Sequence, residues 1–290
     1  MPMRKCRENT IRRRGTVPRP EPAKALGCLV GLAVCEALAR PDTGAISPQT
    51  PLAEGLWGDG TSMALSLAES LVECDGIDQR DQMVRYTSWF RYGYLSSTET
   101  CDYIDEVVKQ ATLRFERTWN PEDESLTQGD VCLARVAPVV LFFSDSRESM
   151  LEACSSSTCT THSGPQSLDA CRLLAAMISE AFEATDKSQV LRPALPLDLC
   201  PEVEELRSGT SPTAEFPACA SLGAAMDAFR NSTSFADGCR LCLPHGPRAM
   251  AAYGQLAGAW YGLGDIPEAW RQSLARFDLL DRMGNLLLKD

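Results

Sequence analysis

The sequence predicts an all-α protein, a compact single domain of bundle-like packing, and three observations carry that expectation. Apolar residues recur with a period near 3.6 in one segment after another. Nowhere does a run alternate with the period of two that a half-buried strand needs. Small residues repeat every four positions near both ends of the chain, as Ala23, Gly27, Gly31 and Cys35 and again as Gly254, Gly258 and Gly262. Such spacing lines one helix face with small side chains and lets a second helix approach closely. With 290 residues, 44% of them hydrophobic and 23% charged, the chain can bury one large core. No repeat of solenoid type is evident.

Taken in order, residues 1–22 form a basic arm: within the first twenty, Arg4, Lys5, Arg7, Arg12, Arg13, Arg14 and Arg19 stand against Glu8. No apolar stretch of about 7–15 residues follows, so this is not a secretory signal. A disordered arm is the expectation, an organelle transit segment the other reading, and the domain is assigned to residues 23–290. A first helix begins near Lys24 and stops at Pro41 and the Ser/Pro/Thr-rich loop that ends at Pro51. Then comes Trp57-Gly58-Asp59-Gly60-Thr61, a turn feeding a helix N-terminus, where Asp59 and Thr61 can cap free N–H groups or offer oxygens to a hard cation. Met63, Ala64, Leu67, Ala68 and Leu71 continue that helix, which Gly76 ends.

A helix from Asp78 to about Gly93 buries Met83, Tyr86 and Phe90, and another carries Val107, Val108, Ala111 and Phe115. The apolar run Leu133 to Phe143 is interrupted by Pro138, which leaves its type open. Thr158 to Pro165 reads as a polar turn. Leu168, Cys171, Ala175, Ile178 and Phe182 mark an amphipathic helix beyond it. Residues 191–217 read as loop with one short helix. Ala218 to Phe229 and Phe235 to Leu243 read as helices, the second ended by Pro244, and Pro267 opens a last helix carrying Trp270, Leu274 and Leu280.

Composition excludes several classes. A net charge of −11 gives no general basic surface for nucleic acid or anionic lipid. No run of about 18 apolar residues exists, so no membrane span is expected. The 13 cysteines lie mostly inside apolar-periodic runs and are read as reduced packing residues of a cytoplasmic protein. The Cys239–Cys242 pair lacks the partners of a zinc site.

Several motifs then fall in the order of one family. The chain resembles the ADP-ribosylglycohydrolases, which include the dinitrogenase reductase-activating glycohydrolase, over about Lys24 to Leu288. The family's Trp-Thr-Asp-Asp-Thr turn stands here as Trp57-Gly58-Asp59-Gly60-Thr61. Its Gly-Asp-Ala-Leu-Gly appears as Cys35-Glu36-Ala37-Leu38-Ala39, which keeps an acid through Glu36. The aspartate of Phe-Asp-Ile-Gly aligns with Tyr103. The Gly-Asn-Gly-Ser-Leu-Met-Arg loop reads Gly129-Asp130-Val131-Cys132-Leu133-Ala134-Arg135, and the serine-threonine-histidine turn is Thr158 to His162. The last metal motif, Gly-Asp-Asp-Ala-Asp-Thr, reads Leu243-Pro244-His245-Gly246-Pro247-Arg248.

The resemblance implies an all-α fold with a cleft for ADP-ribose and two magnesium ions, and hydrolysis of ADP-ribosyl linkages such as that to arginine. It implies metal contacts from Asp59, Thr61 and His245, a catalytic remnant in Asp59 with Glu36 beside it, and ligand contacts from Gly129, Asp130, Arg135, Tyr103 and His162. Asp59 is the aligned metal-site carboxylate left, with Glu36 or Asp130 as a second, while Arg248 adds a fixed positive charge. Magnesium is therefore expected to bind weakly or not at all. Arg135 has two readings, phosphate contact or pairing with an acid. His162 is read first as a turn residue. The expected function is a catalytically degenerate member that binds ADP-ribose or an ADP-ribosylated protein. The alternatives are a hydrolase with a rebuilt mononuclear site and a scaffold with an occluded cleft.

Overall fold

A computed structural model of the chain describes residues 11, 19–40, 47–194, 198–209 and 215–289. Most of the basic arm lies outside that set. Among the described residues the helices run α1 Pro22–Leu38, α2 Asp59–Cys74, α3 Gln79–Tyr92, α4 Glu106–Thr118, α5 Ala137–Phe142, α6 Arg147–Thr158, α7 Pro165–Ala181, α8 Lys187–Leu191, α9 Pro201–Ser208, α10 Pro217–Asn231, α11 Phe235–Cys242, α12 Pro247–Tyr261, α13 Glu268–Ser273 and α14 Phe277–Leu287. Three 3₁₀ turns join them, at Val131–Arg135, Leu243–His245 and Leu263–Asp265. Extended pairing among the described residues is confined to one bridge between Ile11 and Ile77. The fold is an all-α domain, as its periodicities require.

The two small-residue faces meet each other. α1 and α12 are buried along most of their length and form the centre of the domain. A Cβ placed on Gly31 would lie 2.2 Å from the carbonyl oxygen of Gly254, and one on Gly27 would lie 2.5 Å from that of Gly258. Backbone touches backbone there, so no side chain fits. Gly262 continues that face past the last turn of the helix, since a Cβ on Gly27 would also lie 2.8 Å from its carbonyl carbon. It caps α12 with φ of 76°, a left-handed conformation that glycine takes without strain.

Several helices supply their own N-terminal acceptors. Asp78 accepts from the N–H groups of Arg80 and Asp81, Asp105 from Val107, and Ser146 from Ser149. The open run at 133–143 resolves into a 3₁₀ turn followed by α5, with Pro138 in the first turn of the helix, where its missing N–H costs nothing. Helix α6 has no counterpart in the hydrophobic pattern. Its inward face is built from Ser149, Met150, Ala153, Cys154, Ser157 and Thr158, mostly too small or polar to register as a period.

The last helix expected from Pro267 onward is two helices. Arg276, with φ of 47°, breaks it, and the break is held by Ala275 N donating to Gly55 O at 2.9 Å and Arg276 Nη1 donating to Ser96 O at 2.7 Å. Pro244 falls inside a 3₁₀ turn that continues α11, because a proline near the start of such a turn gives up no bonded N–H. The described cysteines are all free thiols and most are buried. No described helix is long and apolar enough to cross a membrane.

Candidate functional site

The site forms where the C-terminal turn of α1 meets the N-terminus of α2. An N-terminus leaves backbone N–H groups without partners inside the helix, and α2 has no side-chain cap of its own at Gly58. Glu36, on α1, supplies it. Its Oε2 accepts from Gly58 N at 3.1 Å, Thr61 N at 2.8 Å and Thr61 Oγ1 at 2.7 Å. The expectation that Asp59 and Thr61 cap free N–H groups holds for Asp59, whose Oδ1 accepts from Gly60 N at 3.0 Å, and is corrected for Thr61; the other two bonded N–H groups of this turn are served from the neighbouring helix. Thr61 spends its hydroxyl on Glu36. A Cβ on Gly60 would fall 2.3 Å from Glu36 Oε1 and 2.5 Å from Ala134 Cβ, whereas one on Gly58 would meet Glu36 at 3.6 Å.

Asp59 faces the other way and is held by Arg248 from the first turn of α12. Arg248 Nη1 donates to Oδ1 at 2.6 Å and Nη2 to Oδ2 at 2.7 Å, a two-point pairing of planar groups. The side chains are 5% and 12% exposed, so this pair is shielded from solvent. Burial works against the Arg248 charge, but the hydrogen bonds and charge of Asp59, with Glu36 and Asp130 adding to them, hold its pKa well above the ordinary arginine value. Burial pushes Glu36 up, and the charge of Asp59 adds to that; Thr61 and Arg248 oppose both.

The remaining residues singled out in the sequence divide into two groups. Asp130 accepts from Ser221 Oγ at 2.6 Å and lies within electrostatic reach of Arg248. Tyr103 is 62% exposed in the loop before α4, and His245 is exposed at the end of its 3₁₀ turn. Neither is hydrogen-bonded to Asp59 or Glu36.

Gly129, Arg135 and His162 belong to a buried polar cluster. Gly129 N donates to Ser167 Oγ at 3.0 Å, and a Cβ at Gly129 would meet His162 Nε2 at 2.6 Å. Arg135 is paired with no acid among the described residues. Its Nη2 donates to Thr161 Oγ1 at 2.6 Å, with the Ser157 and Thr158 carbonyls at 3.5 and 3.4 Å, and its guanidinium lies 5.3 Å from the Tyr86 ring centroid. Thr161 Oγ1 also lies 2.6 Å from His162 Nδ1. Because an arginine can only donate, Thr161 Oγ1 is the acceptor in that contact, and its own proton is free to go to Nδ1. Thr161 lies in the turn already singled out at Thr158 to His162, whereas Ser221 carries no signal in the sequence pattern and only the fold brings it to Asp130.

A pair of magnesium ions does not fit this donor set. Mg²⁺ takes oxygen ligands in near-octahedral geometry. Both oxygens of Asp59 are bonded to a guanidinium, Glu36 Oε2 already accepts three donors, and no group of three or more His, Cys, Asp or Glu among the described residues is placed to hold a metal ion.

The all-helical domain, the α1–α2 turn and the glycine-packed α1–α12 pair define the class. The family profile described as ADP-ribosylglycohydrolase matches residues 18–290, and the chain belongs to that family. It is 28% identical over 293 residues to the ADP-ribosylarginine hydrolase Tri1 of Serratia proteamaculans, covering 91% of this chain and 78% of that protein. With the ADP-ribosylarginine hydrolase Tri1 of Pseudomonas putida it shares 29% identity over 282 residues, covering 88% and 76%. Among solved structures, one titled ADP-ribosylglycohydrolase-related protein complex superposes with a TM-score of 0.77 at 31% identity, over 92% of this chain and 97% of that one.

Proposed function

We propose that this chain is a non-hydrolytic member of its family. In this reading residues 23–290 form an ADP-ribosylglycohydrolase-like domain that binds ADP-ribose, or a protein carrying ADP-ribosylated arginine, and acts as a regulatory partner. The supporting observation is the seating of Arg248 on Asp59, which sets a fixed cation on the one carboxylate left at the aligned metal positions. The exposure of Tyr103, where the resemblance expects an acid, supports it further: a phenol is a poor base at neutral pH. The names of the relatives supply the ligand class, since both are hydrolases of ADP-ribosylarginine.

The test pairs an activity with a binding measurement. The purified protein is incubated with an ADP-ribosyl-arginine peptide, with and without magnesium, and free ADP-ribose is followed by mass spectrometry. No release above the protein-free control is expected. Titration calorimetry with ADP-ribose should show saturable binding that added magnesium does not strengthen. Magnesium-dependent release of ADP-ribose would overturn the reading.

A further inference from the structure

We propose that the Asp59 pocket is a guanidinium seat which the chain fills with its own Arg248, so that the counter-charge of the site is covalently built in. The geometry argues for a guanidinium and not for a generic cation. Two parallel N–H···O bonds of 2.6 and 2.7 Å run from two nitrogens to two oxygens, which a planar fork can make and a spherical ion cannot. The neighbouring carboxylate, Glu36 on α1, is already committed to the α2 N-terminus, which leaves Asp59 as the acid that meets the fork. Gly60 leaves no Cβ where Glu36 and Ala134 close in.

Need as well as fit supports the inference. An ionised carboxylate at 5% side-chain exposure is costly unless paired. Asp130 and Glu36 add to the negative potential at Arg248. Remove the guanidinium and a buried carboxylate of the right shape keeps the Gly60 N–H on Oδ1 at 3.0 Å but loses its counter-charge. A free guanidinium ion should therefore take the place of the missing side chain. This inference rests on the reading that Arg248 stands where the family would place metal, and it concerns which cation the site accepts, not whether the protein hydrolyses anything.

The experiment is chemical rescue of Arg248→Ala followed by thermal unfolding. The full chain and the variant are melted with 0 to about 20 mM guanidinium chloride, with matched sodium chloride to hold ionic strength and a parallel magnesium chloride series. The variant should melt below the wild type and regain about 2–4 °C in guanidinium, saturating at roughly millimolar concentration, while the wild type does not respond. The variant Asp59→Asn/Arg248→Met removes both charges; it should fold and show no response to guanidinium. Rescue by magnesium alone, no rescue by either cation, or an equal response of the doubly neutral variant would each overturn the inference. If Arg248→Ala does not fold, Arg248→Lys replaces it. Lysine keeps a single charge without the fork, so a melting temperature equal to wild type would count against the guanidinium seat. Magnesium-dependent hydrolysis by the wild type would refute the proposed function; these melting curves read the seat separately.

Discussion

Acid should destabilise this protein through His162, and the size of the effect can be worked from its surroundings. The imidazole is buried, and its Nδ1 lies 2.6 Å from the Thr161 hydroxyl, whose oxygen already accepts from Arg135. Nε2 is buried against Gly129 with no hydrogen-bond partner. Burial first, and then the Arg135 charge, push the His162 pKa down to about 3 from an ordinary 6.5. A histidine with a depressed folded value stays neutral in both states above the unfolded pKa, where it contributes no pH dependence. Below about 6.5 the unfolded chain takes up a proton that the folded chain refuses, so stability falls with pH until the folded value near 3 is reached. Between pH 7 and pH 4.5 that amounts to about 2.5 kcal/mol, or roughly 4 °C of melting temperature for a chain of this length. The assay is urea unfolding at several pH values for the wild type and for His162→Asn, whose Oδ1 can replace Nδ1 as the acceptor. Other titrating groups, Glu36 included, cancel in the difference between the two proteins. The gap between them should narrow by about 2.5 kcal/mol on going from pH 7 to pH 4.5. Curves that stay parallel through this range would refute the argument.

The other expected outcomes concern packing and capping. Gly31→Ala should destabilise by about 3 kcal/mol or more, because its Cβ would sit 2.2 Å from the Gly254 carbonyl oxygen and α1 and α12 would have to part; circular dichroism melts read this directly. Placing a side chain at Gly60 should fail: Gly60→Asp puts a second carboxylate into Glu36 and is expected to cost about 2–4 kcal/mol, whereas Gly58→Ala, whose Cβ would meet Glu36 at an ordinary contact distance of 3.6 Å, should change stability by less than about 1 kcal/mol. Glu36→Ala removes the acceptor for two backbone N–H groups and one hydroxyl, and should cost about 2–4 kcal/mol with faster hydrogen exchange confined to the first turn of α2.

Most of the fold was legible because it is written in spacing. The glycines of α1 and α12 are read from one dimension, and their meeting follows from the absence of any side chain that could hold the helices apart. Where the inward face is built from small or polar residues, as in α6, spacing carries no signal, since serine and threonine do not announce burial. The break at Arg276 was likewise invisible. A left-handed arginine is paid for by tertiary bonds to Ser96 and Gly55, and no local residue preference encodes those.

The site was legible in a different measure. Sequence order could set Asp59 and Arg248 beside one another only through an alignment, and it could not say whether the guanidinium points at the carboxylate or out to solvent. The coordinates put two hydrogen bonds there. Glu36 is the more instructive case. As an acid near the aligned metal positions it reads as a surviving ligand, yet its oxygen is consumed by the N-terminus of α2, work that any helix beginning at Gly58 would need done. An acid can thus persist at such a position for helix capping alone. That is why counting carboxylates in the sequence overstates what is available to a cation, and why the two glycines around Asp59 matter: one of them, Gly60, leaves the space that Glu36 needs in order to reach across. For a cation to draw on both Asp59 and Glu36, Arg248 would have to leave the one and Glu36 would have to release the helix end it now holds.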